Sequence, residues 1–74
     1  MIEIELGLNL AELVGAKHRT LDIGESLPLS QLEARLGLTD DDVGMLLINE
    51  AWAPLDSVIK DGDRVKLYPF LEGG

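Results

Sequence analysis

The sequence predicts a single α+β domain in which one main helix packs across a mixed sheet of four to five strands. Three observations lead to this fold class. The 74 residues suffice for one domain, and 46% of them are hydrophobic, as in folded proteins. Along the chain, the spacing of apolar residues changes repeatedly between a period of two and a helical period. The resulting order is strand, short helix, strand, main helix, two strands, a helical turn and a last strand.

The first part of the chain is predicted to form two strands with a short helix between them. Residues 2–6 alternate apolar and acidic side chains, which indicates a strand with one buried face. Residues 9–15 carry apolar side chains at helical spacing, with Asn9 as a candidate N-cap and Gly15 as the stop. Alternation over 19–23 predicts the second strand.

The main helix is predicted from leucines spaced three and four residues apart over 29–36. Pro28 suits the first turn or the residue before it, and Ser30 with Glu33 forms a candidate capping box. The same pattern places Glu33 away from the apolar face. Gly37 is expected to end the helix in a left-handed conformation.

The second part of the chain is predicted to complete the sheet. The apolar run over 43–48 predicts a central strand that is buried on both faces. The remaining elements are a turn at 49–50, a short strand at 51–52, a helical turn over 55–59, a tight turn at 60–63 and a last strand over 65–68 that Pro69 stops.

Composition excludes several classes of function. Six basic residues against 14 acidic ones give a formal net charge of −8. This balance argues against nucleic acid or an anionic membrane as partner and favours a protein with a basic face. Because cysteine is absent, the chain has no disulfide framework, zinc ribbon or thiol nucleophile. Neither a signal peptide nor an apolar run long enough for a membrane span is evident, so we expect a cytoplasmic protein.

Three polar or aromatic features are candidate sites, and each has a simpler structural interpretation. Residues 40–42 are three aspartates that could bind a cation, but the EF-hand spacing is missing and a solvated loop is the favoured interpretation. His18 has no cysteine companion and is interpreted as an exposed loop residue. Trp52 is either a partner contact or part of the packing at the sheet edge. With no clustered acid, base or nucleophile, we expect neither catalytic residues nor a metal site.

The end of the chain is the strongest candidate for function. A domain of residues 1–69 is predicted to continue into a flexible tail of residues 70–74 that ends in Gly-Gly. Five extended residues reach at most about 17 Å, and glycine lets backbone enter a narrow channel. The tail therefore suits delivery of the terminal carboxylate to another protein's active site. A frayed terminus is the alternative, but the position directly after the last strand favours delivery.

Several segments resemble the MoaD/ThiS family of ubiquitin-like sulfur carrier proteins. Residues 61–65 (Asp-Gly-Asp-Arg-Val), the following strand and residues 69–74 (Pro-Phe-Leu-Glu-Gly-Gly) correspond to the family's turn, last strand and tail. The resemblance runs the length of the chain, and residues 12–15 are most similar to MoaD, the small subunit of molybdopterin synthase. One proline rather than two precedes Phe70, and Glu72 replaces a smaller residue. The resemblance implies a β-grasp (ubiquitin-like) fold.

The resemblance also implies that the chain is a carrier and not an enzyme. An E1-like adenylyltransferase of the MoeB/ThiF type would use ATP to adenylate the Gly74 carboxylate, which would then become a thiocarboxylate. The carrier itself would bind no cofactor. The tail residues expected to enter a partner's channel are Phe70, Leu71, Glu72 and Gly73.

The implied sulfur acceptor is the large subunit of molybdopterin synthase or another sulfur-accepting enzyme, and the free carrier would be monomeric. Three alternatives remain open. The chain could be a ubiquitin-like modifier that forms isopeptide bonds through Gly74, a ThiS-type carrier for thiamine thiazole synthesis, or a binding module whose tail is incidental.

Overall fold

The computed structural model describes residues 1–70. The elements are β1 (Ile2–Leu6), α1 (Asn9–Val14), β2 (His18–Leu21), β3 (Ser26–Pro28), α2 (Leu29–Leu36), β4 (Met45–Ile48), β5 (Ala51–Ala53), β6 (Val58–Lys60) and β7 (Arg64–Tyr68). Five strands form one sheet in the order β2-β1-β7-β4-β5, and β3 pairs with β6 in a separate two-stranded sheet. β1 and β7 are parallel, while the other pairs of the large sheet are antiparallel, so the sheet is mixed as predicted.

The hydrophobic core covers one face of the large sheet. Alternate residues of β1 and β7 point to this face and are buried, as their period of two predicted. In the parallel register, Ile4 lies opposite Val65 and Leu6 lies opposite Leu67. Full burial of such a side chain contributes roughly 1.5–3 kcal/mol. The leucines that predicted the main helix join the same cluster: Leu29, Leu32 and Leu36.

The caps of both helices differ from the prediction at their N-terminal ends. Leu8, with φ 52° and ψ −133°, is the N-cap of α1, and Asn9 makes no capping hydrogen bond. A backbone hydrogen bond from Leu10 N–H to Gly7 O, 3.1 Å long, closes this first turn. No side chain caps α2 at Pro28, so the predicted Ser30–Glu33 capping box does not form. Both C-terminal stops are confirmed, because Gly15 and Gly37 adopt the left-handed conformation.

Glu33 is buried, although the helical pattern placed it away from the apolar face. Its side chain is only 4% exposed, and it lines a recess together with Asp40, Val43 and Leu55. The loop after α2 and the segment before β6 thus cover a flank of the helix that would otherwise face solvent. The capping box is missing for a different reason: the helix begins at Leu29, so Ser30 lies within its first turn and not at the N-cap position.

The strand β4 is not the central strand, contrary to prediction. β7 is central, and β4 lies between β7 and the edge strand β5. Leu46 is fully buried, but Met45 and Leu47 on the opposite face are only partly buried. Both helices contribute leucines to the core on the Leu46 side. The apolar side chains on the outer face of β4 therefore pack beside those of the neighbouring strands and are not covered by a second core.

The predicted helical turn over 55–59 is wrong for its second half, which forms strand β6. A hydrogen bond from Ser57 N–H to Pro54 O makes a single turn, and the chain then pairs with β3. β3 was not predicted from the sequence. In this small sheet Leu27 lies opposite Ile59, and both are buried.

The predicted turn between β4 and β5 is confirmed as a two-residue hairpin. Asn49 and Glu50 both have positive φ, of 52° and 70°, which matches the right-handed twist of the flanking strands. The Asn49 side chain donates to Asp63 Oδ1 at 3.0 Å and accepts from Arg64 N–H at 2.9 Å. These bonds join the hairpin to the tight turn before β7, at the end of β7 opposite to Tyr68.

The burial of Glu33 generates a prediction about pH. Burial, followed by the hydrogen bond with Asp40 and the charges of Asp40 and Asp42, raises the pKa of Glu33 from 4.5 to about 7. The folded state therefore binds a proton more tightly than the unfolded state, and the free energy of unfolding should fall as pH rises from 4.5 through about 7. Glu33→Gln keeps a hydrogen-bond donor for Asp40 without the charge. We expect it to be more stable than wild type at about pH 8, by up to about 3 kcal/mol.

Urea denaturation of wild type and Glu33→Gln at about pH 5 and about pH 8 measures this difference. Glu12→Gln, on the exposed side of α1, is the matched control and should retain the pH dependence of the wild type. Equal pH dependence in Glu33→Gln and wild type would contradict the assignment of this titration to Glu33.

Candidate functional site

The candidate functional site is the segment that follows β7. Of the predicted site residues, Phe70 is described by the structure. Leu71, Glu72, Gly73 and Gly74 lie outside the described residues. The described part of the site is the tail root, which we define as Tyr68, Pro69 and Phe70.

The end of β7 is held by hydrogen bonds from both neighbouring strands. Gly7 N–H donates to Leu67 O at 2.9 Å, and Gly44 N–H donates to Tyr68 O at 2.8 Å. Pro69 has no N–H group and cannot continue the ladder, which explains why the strand ends there as predicted. The main chain is consequently fixed on both sides up to the residue before Pro69.

Glycine stands at both positions that flank the tail root. A Cβ atom on Gly7 would collide with Cδ1 and Cε1 of the Tyr68 ring. A Cβ atom on Gly44 would lie 2.6 Å from Phe70 Cα, 2.7 Å from its N and 2.8 Å from its Cγ. The side chain of Tyr68 and the main chain of Phe70 thus occupy space that only glycine leaves free.

Neither Gly7 nor Gly44 was predicted from the sequence to lie beside the end of the last strand. An isolated glycine in an apolar strand-like run is a known sign of close backbone approach. That signal is present at position 44, within the run over 43–48. It does not reveal which residue approaches, because Phe70 is distant in sequence.

The outer face of the sheet is divided into an apolar part and a charged part. On the apolar part, Trp52 on edge strand β5 pairs with Leu47, and its side chain is 73% exposed. Phe70 is 58% exposed. Trp52 thus lies on the edge strand as expected, but most of its side chain is exposed and not packed there, while a role in partner contact stays a prediction.

The charged part of the outer face forms an open groove of about 570 Å³ between β2, β1 and β7. Its lining includes Glu5, whose neighbours in register are His18 on β2 and Lys66 on β7. His18 Nδ1 lies 3.9 Å from Glu5 Oε1. His18 is exposed as predicted, but it begins strand β2 and does not lie in a loop.

The aspartates at 40–42 lie in the predicted loop. Asp42 Oδ2 accepts hydrogen bonds from the N–H and hydroxyl groups of Thr39, at 2.9 and 3.2 Å. Within residues 1–70, no group of three or more histidine, cysteine, aspartate or glutamate side chains is arranged to hold a metal ion. In the same range, neither helix has the length and hydropathy that a membrane crossing requires.

Comparison with solved structures identifies the fold family. SAMP1 from Haloferax volcanii has a TM-score of 0.70 and 25% identity, covering 99% of this chain and 98% of that one. Small archaeal modifier protein 1 from the same organism has a TM-score of 0.69 and 23% identity, covering 95% and 97%. Molybdopterin converting factor, subunit 1, as described for Pyrococcus furiosus, has a TM-score of 0.71 and 14% identity, covering 95% and 97%. The expected ubiquitin-like β-grasp fold is confirmed.

Comparison with family models extends the similarity from fold to sequence. No curated protein matches the chain significantly. The model of the ThiS family, however, matches residues 8–74, which include the Gly73-Gly74 pair. The match leaves out only the residues before Leu8, and it agrees with the resemblance carried by the turn at 61–65. The chain therefore belongs to the ThiS family.

Proposed function

We propose that this chain is a sulfur carrier whose Gly74 carboxylate is adenylated by an E1-like enzyme and then converted to a thiocarboxylate. The observation that carries the proposal is the family match, which extends through Gly73 and Gly74. The fold supports it, because the tail root leaves the central strand at one end of the sheet with Phe70 exposed. The chain contains no cysteine, so its own side chains offer no thiol to hold the sulfur.

The chemistry requires activation because a carboxylate is a poor acyl donor. A Gly74 carboxylate oxygen attacks the α-phosphorus of ATP, pyrophosphate leaves, and an acyl-adenylate forms. The terminal sulfur of a partner's persulfide then attacks the carbonyl carbon, and AMP leaves. A second thiol breaks the sulfur–sulfur bond, so that the thiocarboxylate remains on Gly74 and a disulfide forms on the partner. The carrier contributes the positioned carboxyl group, and the partner contributes the catalytic groups.

For the acceptor, we propose a molybdopterin precursor bound by the large subunit of molybdopterin synthase. One feature supports this choice over the thiazole pathway. The helix α1, which the resemblance associates with MoaD, is present over Asn9–Val14. We further propose that the free carrier is a monomer and that it acts in the cytoplasm, where ATP is supplied.

The thiocarboxylate is tested by intact mass spectrometry. The purified chain is incubated with adenylyltransferases of the MoeB/ThiF type, ATP and a persulfide donor. We expect the mass to rise by the difference between one sulfur and one oxygen atom. No such increase with any of several adenylyltransferases would overturn the carrier proposal.

Gly74→Ala tests the steric requirement at the terminal residue. A methyl group next to the reacting carboxyl should obstruct a narrow channel, so we expect near-complete loss of activation with little change in thermal stability. Deletion of Gly73 and Gly74 should abolish activation as well. An alanine variant that is activated at the wild-type rate would contradict a channel that fits glycine alone.

A second candidate function is that of a ubiquitin-like protein modifier. It is favoured by the similarity to small archaeal modifier protein 1 and SAMP1 of Haloferax volcanii. In that case the activated Gly74 carbonyl would react with a lysine amine, and an isopeptide bond would replace the thiocarboxylate. Conjugates that survive denaturing electrophoresis and disappear on deletion of Gly73 and Gly74 would support this function. Mass gain without conjugates would support the carrier alone.

The net charge predicts how the carrier meets its activating enzyme. With a formal charge of −8, the chain should be attracted to a basic docking face. We expect the association rate constant to fall about tenfold or more between roughly 50 mM and 500 mM salt, and the dissociation rate constant to change less. Stopped-flow measurements on wild type determine both constants. An association rate that is independent of salt would contradict a basic docking face.

A further inference from the structure

Position 44 requires glycine because a neighbouring residue fills the space of a side chain, and not because of the backbone conformation of residue 44. Among residues 1–70, the glycines with positive φ are Gly15, Gly24, Gly37 and Gly62, and Gly44 does not belong to this group. Its main chain is therefore compatible with other residues. What excludes them is the Phe70 main chain, since a Cβ on residue 44 would lie 2.6 Å from Phe70 Cα. Real Cβ atoms essentially never approach other heavy atoms within 3.0 Å.

The contact lies where the tail separates from the sheet. Gly44 N–H holds Tyr68 O at 2.8 Å, and in the β4–β7 register Met45 lies opposite Tyr68. Pro69 then ends the ladder, and the next residue passes directly against Gly44. One residue thus anchors the last strand and also borders the path by which the chain leaves it.

Gly7 provides an instructive contrast. The three heavy atoms nearest to a Cβ on Gly7 would all belong to the Tyr68 ring, which can move by rotation of the side chain. A Cβ on Gly44 would meet the Cα and N atoms of Phe70 as well as its ring. To relieve the clash with a Cβ atom at position 44, the main chain of the tail root must therefore shift.

We propose that Gly44 is a positioning residue for the C-terminal carboxylate. By letting the Phe70 main chain lie against it, Gly44 sets the direction in which the tail leaves the sheet toward the activating enzyme. This inference rests on the proposed function, because it assigns Gly44 a part in the adenylation of Gly74. It requires no contact between Gly44 and ATP or the reacting atoms.

The test is the kinetics of adenylation of Gly44→Ala, followed by pyrophosphate release. The substitution should leave docking of the adenylyltransferase on the folded domain unchanged. The carboxylate, however, would be delivered along a shifted path. We therefore expect kcat to fall by about tenfold to a hundredfold, as for a misplacement of about 1 Å. KM for the carrier should change less than about twofold. Equal kcat for Gly44→Ala and wild type would overturn the proposal.

Gly24→Ala is the matched control. Gly24 has φ 76° and open space around its Cβ position, so alanine there strains the backbone far from the tail root. It should lower the melting temperature at least as much as Gly44→Ala and leave kcat unchanged. If Gly24→Ala lowers kcat equally, the loss in Gly44→Ala reflects stability, and the positioning role is refuted.

Phe70→Ala separates the effect of the main chain from that of the ring. Because the Cα and N atoms of residue 70 remain, the double variant Gly44→Ala/Phe70→Ala should be no faster than Gly44→Ala. Recovery of kcat in the double variant would show that the ring was the obstacle and would overturn a main-chain role.

Nuclear magnetic resonance of the free protein makes the inference independent of enzyme assays. Wild type should show nuclear Overhauser effects between the α-protons of Gly44 and the α- and amide protons of Phe70, and Gly44→Ala should lose them. Their absence from wild type would overturn the inference, whatever the kinetics. If these effects are present but no adenylyltransferase activates wild type, the proposed function fails, and the role of Gly44 in adenylation fails with it.

Discussion

The parallel pairing of β1 with β7 is the contact on which the rest of this structure depends. It joins the first and last strands of the domain, with Ile4 opposite Val65 and Leu6 opposite Leu67 in the core. Closing so long a loop carries an entropic cost, which the burial of these side chains offsets. The pairing makes β7 central and gives β4 its place beside it.

The same pairing explains why the two ends of β7 have different roles. At its start, Glu3 N–H donates to Asp63 O at 3.2 Å, and Gly62 N–H donates to Met1 O at 3.0 Å. The Met1 ammonium group also pairs with Asp61. That end is closed by local turns. At the other end, Pro69 stops the ladder and the chain passes into the tail. Parallel alignment thus places the turns that tie Met1 to β7 at one end of this strand and the candidate site at the other.

The sequence predicted those elements in which several residues repeat one period. β1, β7 and α2 each place at least two large apolar residues on one face, so their pattern was sufficient. β3 and β6 have three residues each and only one buried residue, which is too short to define a period. The burial of Glu33 depends on which loops cover its helix. The candidate functional end was predicted from a Gly-Gly pair directly after the last strand and from the family resemblance, whereas the Gly44–Phe70 contact required three-dimensional information.

The position of Phe70 limits where chemistry can take place. If the main chain is fixed at Phe70 by Gly44, only residues 71–74 separate this point from the reacting carboxyl group. Four residues span at most about 14 Å. For the proposed adenylation, a partner must therefore bring its nucleotide within that distance of Phe70. A short tether also raises the effective concentration of the carboxylate near the partner's active site. Under the proposed function, restricting the path at its root couples recognition of the folded domain to reaction at its terminus.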